Sequence, residues 1–438
     1  MNTRQLGFWM CVALVVGNTI GMGIFMQPAA LAPFGLNALT GWAAVIVGCV
    51  CLALTFAALA RKLPDVGGPF GYVRATLGEV FAFPALWCYW ISVWATNAVL
   101  SISVVGYFVS VFPAAASIPP ALLAVSFMWV FVGVNILGVR TGGRVQVVTS
   151  LLKLVPLLLV MVLGAASILA TPGTYAANLP ATPLTMQASM GAAAIALYAM
   201  LGFESASVAA GRVVNPERTV PRATLVGTMF VAVIYVAIVG IGLLVVPQDT
   251  LATADAPFVT ILDHLAGPGN GRWASLFIVI SGLGCLNGWT LLSGELTRTL
   301  ASHRLLPAVF GDTNRFGAPW ASLLFAGVLA TVVGLMNYST TLVGAFTKLS
   351  LIVSAANLPL YVCCSIALFT LLARRSAGLS PALWIAGAGG VAFAAFAFFG
   401  VGREPFIWAL VLGLAGLPIY FWMRRRHPDR AALATPKM

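Results

Sequence analysis

The chain has 438 residues, of which 61% are hydrophobic and only 8% charged, with a formal net charge of +12. Soluble domains carry roughly a quarter charged residues, so this composition excludes a soluble enzyme or binding module and points to a polytopic membrane protein. No polar stretch is long enough for a soluble unit, which predicts a single membrane domain over 1–438.

Apolar runs of about 20 residues each predict twelve helices across the bilayer. They fall at about 7–33, 38–60, 80–112, 119–137, 146–170, 187–211, 223–247, 273–300, 319–336, 343–372, 382–400 and 405–423. The run after Arg4 lacks a small-residue cleavage site and precedes many more spans, so it reads as the first helix and not as a signal peptide.

The first span is interrupted by Gly17-Asn18-Thr19-Ile20-Gly21-Met22-Gly23-Ile24-Phe25. Glycine at this density is poor helix filler, and unwound backbone survives in a membrane only where protein buries it or it lines a cavity. The half-helix after such a break presents free N–H groups and a positive dipole end, which suit a carboxylate. Close packing of small residues between helices is the competing reading of the glycines. A dinucleotide-binding reading fails, because no strand–turn–helix surrounds them.

Span three carries Tyr89, Trp90, Trp94 and Asn97 on one stretch. Span five carries Lys153 within Thr149-Ser150-Leu151-Leu152-Lys153-Leu154-Val155-Pro156. An amine there is a proton carrier, a fixed cation in a place where another carrier would hold sodium, or a lysine that snorkels to the interface.

The second interruption lies in span six, at Tyr198-Ala199-Met200-Leu201-Gly202-Phe203-Glu204-Ser205-Ala206-Ser207. Glu204 is an ionisable group within an apolar span, a candidate for proton coupling or gating, with a structural carboxyl bonded to a hydroxyl such as Tyr89 as the alternative. In span eight, Trp289 sits mid-membrane, suited to stacking on an organic cation or to core packing. Lys348 and Glu295 read as structural, with Arg298 as the partner of Glu295. The seven cysteines all lie in apolar segments without metal-site spacing and read as small buried fillers. The three histidines fall in loops or the tail, so no histidine-centred catalytic group is expected.

Nineteen Lys and Arg residues fall in one alternating set of loops and the termini, among them Arg61, Lys62, Arg74, Arg218, Arg304 and Arg424–Arg426. The opposite loops hold only Arg272 and Arg403. This alternation predicts an even number of spans with both termini in the cytoplasm, and it explains the basic charge without a nucleic-acid partner. The broken spans recur five apart. Two inverted repeats are therefore expected at about 7–170 and 187–372, followed by two helices at about 382–423 and a tail at 424–438.

Three stretches taken together resemble the amino acid–polyamine–organocation transporter superfamily. They are the first break, the loop Pro64-Asp65-Val66-Gly67-Gly68-Pro69-Phe70-Gly71-Tyr72, and Gly202-Phe203-Glu204-Ser205-Ala206 followed by Asn215-Pro216-Glu217-Arg218-Thr219-Val220-Pro221. Within it, Glu204–Gly211 and Gly288-Trp289-Thr290-Leu291-Leu292 are most similar to its bacterial arginine/agmatine antiporter branch. The resemblance implies an all-α fold of two inverted five-helix repeats, with helices 1 and 6 discontinuous, plus two C-terminal helices. It implies a substrate carboxylate at Ile20, Gly21, Met22 and Gly23, and an α-amino group at carbonyls near Tyr198, Ala199 and Leu201. It also implies a guanidinium stacked on Trp289 and contacted by Asn97, and an outward gate that includes Tyr89 and Glu204.

The sequence departs from that branch at Met22, where serine is usual, and at Tyr198, where tryptophan is usual. The gating tyrosine of span ten falls near Leu360, beside Tyr361. Lys153 stands at a position that is apolar in that branch, and is similar to the lysine of proton-coupled amino acid carriers in the same superfamily. The expectation is a secondary transporter of an amino acid or related amine in a bacterial inner membrane. Arginine/agmatine-type exchange comes first, and proton symport of neutral amino acids through Lys153 is the alternative. A non-transporting amino acid sensor is the competing class. Protons and the lipid bilayer are the other partners expected; no cofactor, metal or nucleic acid is implied, and a homodimer is common in the family.

Overall fold

The computed structural model describes residues 6–63, 66, 68–138, 152–171, 173, 175, 178, 180, 182–204, 213–338, 341–374 and 381–426. Within these, helices account for nearly all of the ordered backbone. α1 (Phe8–Thr19) and α2 (Gly23–Leu31) form the first span, bent by 48° at its break. α3 (Asn37–Lys62), the short α4 (Pro69–Leu77), α5 (Glu79–Val111) and α6 (Pro120–Ile136) follow. α7 (Leu154–Ala170) and α8 (Met186–Met200) are the described parts of spans five and six.

The remaining helices are α9 (Pro216–Val245), the short α10 (Gln248–Ala252) and α11 (Pro257–Ala266), α12 (Arg272–Ser302), α13 (Trp320–Met336), α14 (Leu342–Arg374) and α15 (Pro381–Gly400). α16 (Arg403–Leu414) and α17 (Gly416–Arg426) make up the last span, divided at Ala415. These helices occupy all twelve predicted spans. Of the predicted segments, 146–151, 205–211 and the tail from 427 lie outside the described residues, as do Arg140, Arg144 and Arg212.

Helix ends follow local chemistry. The Thr185 hydroxyl caps α8 by accepting from Ala188 N at 3.2 Å. Lys62 and Arg61 lie in the last turn of α3 and Arg424–Arg426 in the last turn of α17, where cations complement the helix dipole. α4 and the α10–α11 pair are elements that hydropathy alone does not reveal, because each is short and only half apolar.

α5 is the buried axis of the bundle and packs against α12 and α14. α3 packs against α8, α9 and α15, and α1 packs along α9. Span one therefore lies on span seven as span six lies on span two, the exchange that two inverted five-helix repeats require. Between helices in lipid, packing and hydrogen bonds replace the hydrophobic effect as glue. Gln27 Nε2 donates to Ile195 O at 2.9 Å, tying the two broken spans together, and Trp90 Nε1 donates to Thr297 Oγ1 at 2.7 Å between spans three and eight.

Glu295 and Lys348 are paired as structural residues; of the cysteines expected to be buried, Cys11, Cys49, Cys285 and Cys364 are, whereas Cys51, Cys88 and Cys363 are half-buried. All seven cysteines are free, and Glu295 pairs with Arg298 at 3.4 Å. Lys348 pairs with Glu404 at 2.5 Å, joining spans ten and twelve.

Candidate substrate site between the broken helices

The first break opens where α1 stops at Thr19. Ile20 is extended at φ −72°, ψ 93°, and α2 restarts at Gly23. Ending a helix leaves its last carbonyls without intrahelical donors, and in lipid these need protein partners. The Lys153 ammonium supplies them. It donates to Gly17 O at 2.6 Å and also to Ile20 O. Lys153 is 4% exposed, so it reaches inward to the break and does not snorkel. The Tyr235 hydroxyl donates to Thr19 O at 3.0 Å.

The second break follows α8. Leu201 is extended at φ −60°, ψ 140°, and Gly202 takes φ +102°, a conformation that side-chain-bearing residues rarely adopt. Glu204 is 3% exposed, and its Oε2 accepts from Gly202 N at 3.2 Å. The continuation from 205, which holds most of the stretch nearest to the antiporter branch, lies outside the described residues. The two breaks meet directly: a Cβ on Gly23 would stand 3.1 Å from Ala199 Cα and 3.3 Å from the Tyr198 ring.

Between the breaks, α5 and α12 lies a partly open cavity, with about 290 Å³ of non-atom space when the adjoining solvent is included. Gly21, Met22, Gly23, Tyr198, Ala199, Leu201 and Trp289, all expected from the sequence, line it. Asn18, Thr19, Thr96 and Leu100 line it as well. The first two stand within the interruption, and the other two flank Asn97 on span three, so the signal was a neighbouring residue on the right helix. Ile20 is fully buried and sits behind the lining, its carbonyl taken by Lys153. Asn97 does not line the cavity. Its Oδ1 accepts from Thr290 Oγ1 at 3.1 Å, which ties span three to span eight. The helix face decides this, because Thr96 and Leu100 are one turn apart on one stripe and Asn97 lies off it.

The lining combines backbone from both breaks, three hydroxyl-bearing residues (Thr19, Thr96 and Tyr198), the Asn18 amide, the Trp289 indole and four apolar side chains (Met22, Leu100, Ala199 and Leu201). The Thr19 hydroxyl is buried without a hydrogen-bond partner. Such a site can take a zwitterion by its charged ends and leaves the side chain to Trp289, Leu100 and Met22.

A second cluster lies beside the cavity. Glu204 lies near Tyr89, Tyr361, Cys49 and Cys364. Tyr361 is fully buried, packs its ring on Phe56 and Phe203, and its hydroxyl has no partner. Tyr361, and not Leu360, is thus the span-ten tyrosine that faces Glu204. α5 starts at Glu79, next to the basic Arg74 end, and Tyr89 precedes Thr96 and Leu100 along it. At 1.5 Å per residue, Tyr89 is about 15 Å from that start. The cluster therefore lies between the cavity and the basic-loop face. Tyr89 and Glu204, the expected gate residues, thus come together beside the cavity.

Comparison with known proteins agrees with this architecture. The amino acid permease family model matches residues 6–418. The chain is 31% identical over 342 residues to a cadaverine/lysine antiporter of Escherichia coli K12, covering 77% of this chain and 76% of the relative. It is 26% identical over 439 residues to the putrescine transporter of the same organism, covering 97% and 99%. In fold it is similar to Mhp1, a nucleobase–cation symporter of known structure in a closed conformation, at TM-score 0.56 and 15% identity over 99% of this chain and 95% of that one. The chain therefore belongs to the amino acid permease family, within the amino acid–polyamine–organocation superfamily that its motifs resemble, and is a multi-pass membrane transporter and not an enzyme.

Proposed function

We propose that this transporter exchanges a cationic amino acid for a related amine across a bacterial inner membrane by alternating access, in the manner of arginine/agmatine exchange, with both termini in the cytoplasm. The observation that carries the reading is the cavity bounded by both helix breaks with Trp289 on its wall. The backbone N–H groups at Gly21–Gly23 take the carboxylate, and the carbonyls near Tyr198, Ala199 and Leu201 take the α-amino group. Trp289 stacks on the cationic end. The names of the relatives, antiporters of lysine and diamines, favour exchange.

A second reading rests on Lys153. Its ammonium bridges the Gly17 and Ile20 carbonyls, a place for a cation at the hinge of the first span. Loss of its proton would release the hinge, which couples transport to a proton gradient and suits neutral amino acids. The position of Asn97, turned to Thr290, removes one expected guanidinium contact and favours this reading on the substrate side.

Labelled-arginine uptake into proteoliposomes separates them. Uptake that requires internal arginine or agmatine supports exchange. Uptake into empty vesicles driven by an inward proton gradient supports symport. No arginine uptake, with uptake of a neutral amino acid instead, rules out the cationic reading.

A further inference from the structure

We propose that the side chain of Met22, seated between Gly282 of α12 and Val104 of α5, is the wall that determines which substrate side chains the cavity accepts. This rests on the cavity being the substrate site. Met22 lines that cavity and is 1% exposed. A Cβ built on Gly282 would stand 2.6 Å from Met22 Sδ, 3.1 Å from Met22 Cγ and 2.7 Å from Val104 Cγ2. Real Cβ atoms do not come so close, so the thioether has its seat only because residue 282 carries no side chain. Span eight keeps a slot open for a residue of span one.

The seat has a definite place. Val104 lies one turn beyond Leu100 on α5, and Gly282 lies two turns before Trp289 on the antiparallel α12. Met22 therefore bounds the cavity on the side away from the basic loops, opposite the Glu204 cluster. Met22 is the N-cap of α2, with its backbone in the helical region at φ −68°, ψ −15°. The wall is apolar and polarisable, and it adjoins Leu100 and Trp289. It favours a substrate side chain with a slim apolar or flat end, and it stops a longer one.

The test is uptake by proteoliposomes of a length series of neutral and cationic amino acids, compared across four proteins: wild type, Met22→Ala, Gly282→Ala and the double variant. A change of a methylene or two in a pocket is worth about tenfold or more in selectivity. Met22→Ala is expected to move the preference toward longer side chains by at least about tenfold. Gly282→Ala pushes the thioether into the cavity, so uptake of the longest accepted substrate drops by a similar factor while the shortest is spared. Met22→Ala in the Gly282→Ala background restores it. An unchanged rank order in Met22→Ala, or a double variant no better than Gly282→Ala, overturns the proposal. If Gly282→Ala does not fold, Met22→Ala and Met22→Leu alone decide by the same rank order. A wild-type protein that takes up no member of the series sinks the substrate-site reading itself, a result distinct from uptake with unaltered order.

Discussion

The two helix breaks solve one problem with opposite charges. The first ends a helix and frees carbonyls, and a buried ammonium, Lys153, takes those of Gly17 and Ile20. The second exposes an N–H at Gly202, and a buried carboxyl, Glu204, takes it. Each buried ionisable group meets the backbone pole of opposite sign, which is the cheapest way to keep either in an apolar surrounding. The difference lies in reach. Lys153 comes from another span and crosses to its break, whereas Glu204 serves its own. The first break is therefore held by a tertiary contact that a change at span five can release, and the second is held locally.

The largest effect to expect from breaking this pairing is at Lys153. Lys153→Ala leaves two buried carbonyls without a donor, at about 1–3 kcal/mol each. Transport should fall to background, with a lower melting temperature of the purified protein. Lys153→Gln keeps a donor and removes the charge. Under the proton-coupled reading it abolishes gradient-driven uptake while preserving exchange; gradient-driven uptake that survives in Lys153→Gln removes Lys153 from coupling.

Next come the close approaches. Gly202→Ala places a side chain at φ +102° and 2.9 Å from Asn18 O, a strain of about 1–3 kcal/mol. Gly23→Leu intrudes on Ala199 and Tyr198 where the breaks touch. Substrate binding should be lost in both. Gly21→Ala makes only an ordinary 3.4 Å contact with Cys285 Sγ, so it should bind substrate nearly as wild type does. Equal loss at Gly21 and Gly23 would mean that backbone freedom, and not contact between the breaks, matters.

A smaller effect is expected at Trp289. Trp289→Leu should weaken a cationic substrate by about 1–2 kcal/mol if the stacked cation is desolvated. A neutral substrate should be nearly unaffected, and equal loss for both would assign Trp289 to packing. The mildest change is a matter of shape. Glu204→Gln preserves an acceptor for Gly202 N but cannot exchange a proton, so the pH profile of transport should flatten with the maximal rate largely retained. A profile that keeps its wild-type form would take Glu204 out of the proton path.

Much of this was legible from the sequence because membrane constraints are strict. Twelve apolar runs had to be helices, and Gly21-Met22-Gly23 and Gly202 beside Glu204 could not sit in unbroken ones. What the sequence left open depended on helix faces and on packing between distant spans. Asn97 and Thr96 are neighbours in the chain, yet only Thr96 faces the cavity. Leu360 and Tyr361 differ by one position, and only the latter packs beside Glu204. The meeting of Tyr89, Tyr361 and Glu204 depends on packing among spans three, six and ten, and the seat of Met22 on a glycine 260 residues away in the chain. Such pairings have no local signal.

The most direct test of the account is a structure of the protein determined with its transported amino acid bound. The account predicts ligand density in the cavity, its carboxylate at Gly21–Gly23 and its amino group toward Tyr198–Leu201, with the side chain against Trp289 and Met22. Density anywhere else, with this cavity left to solvent, would contradict it.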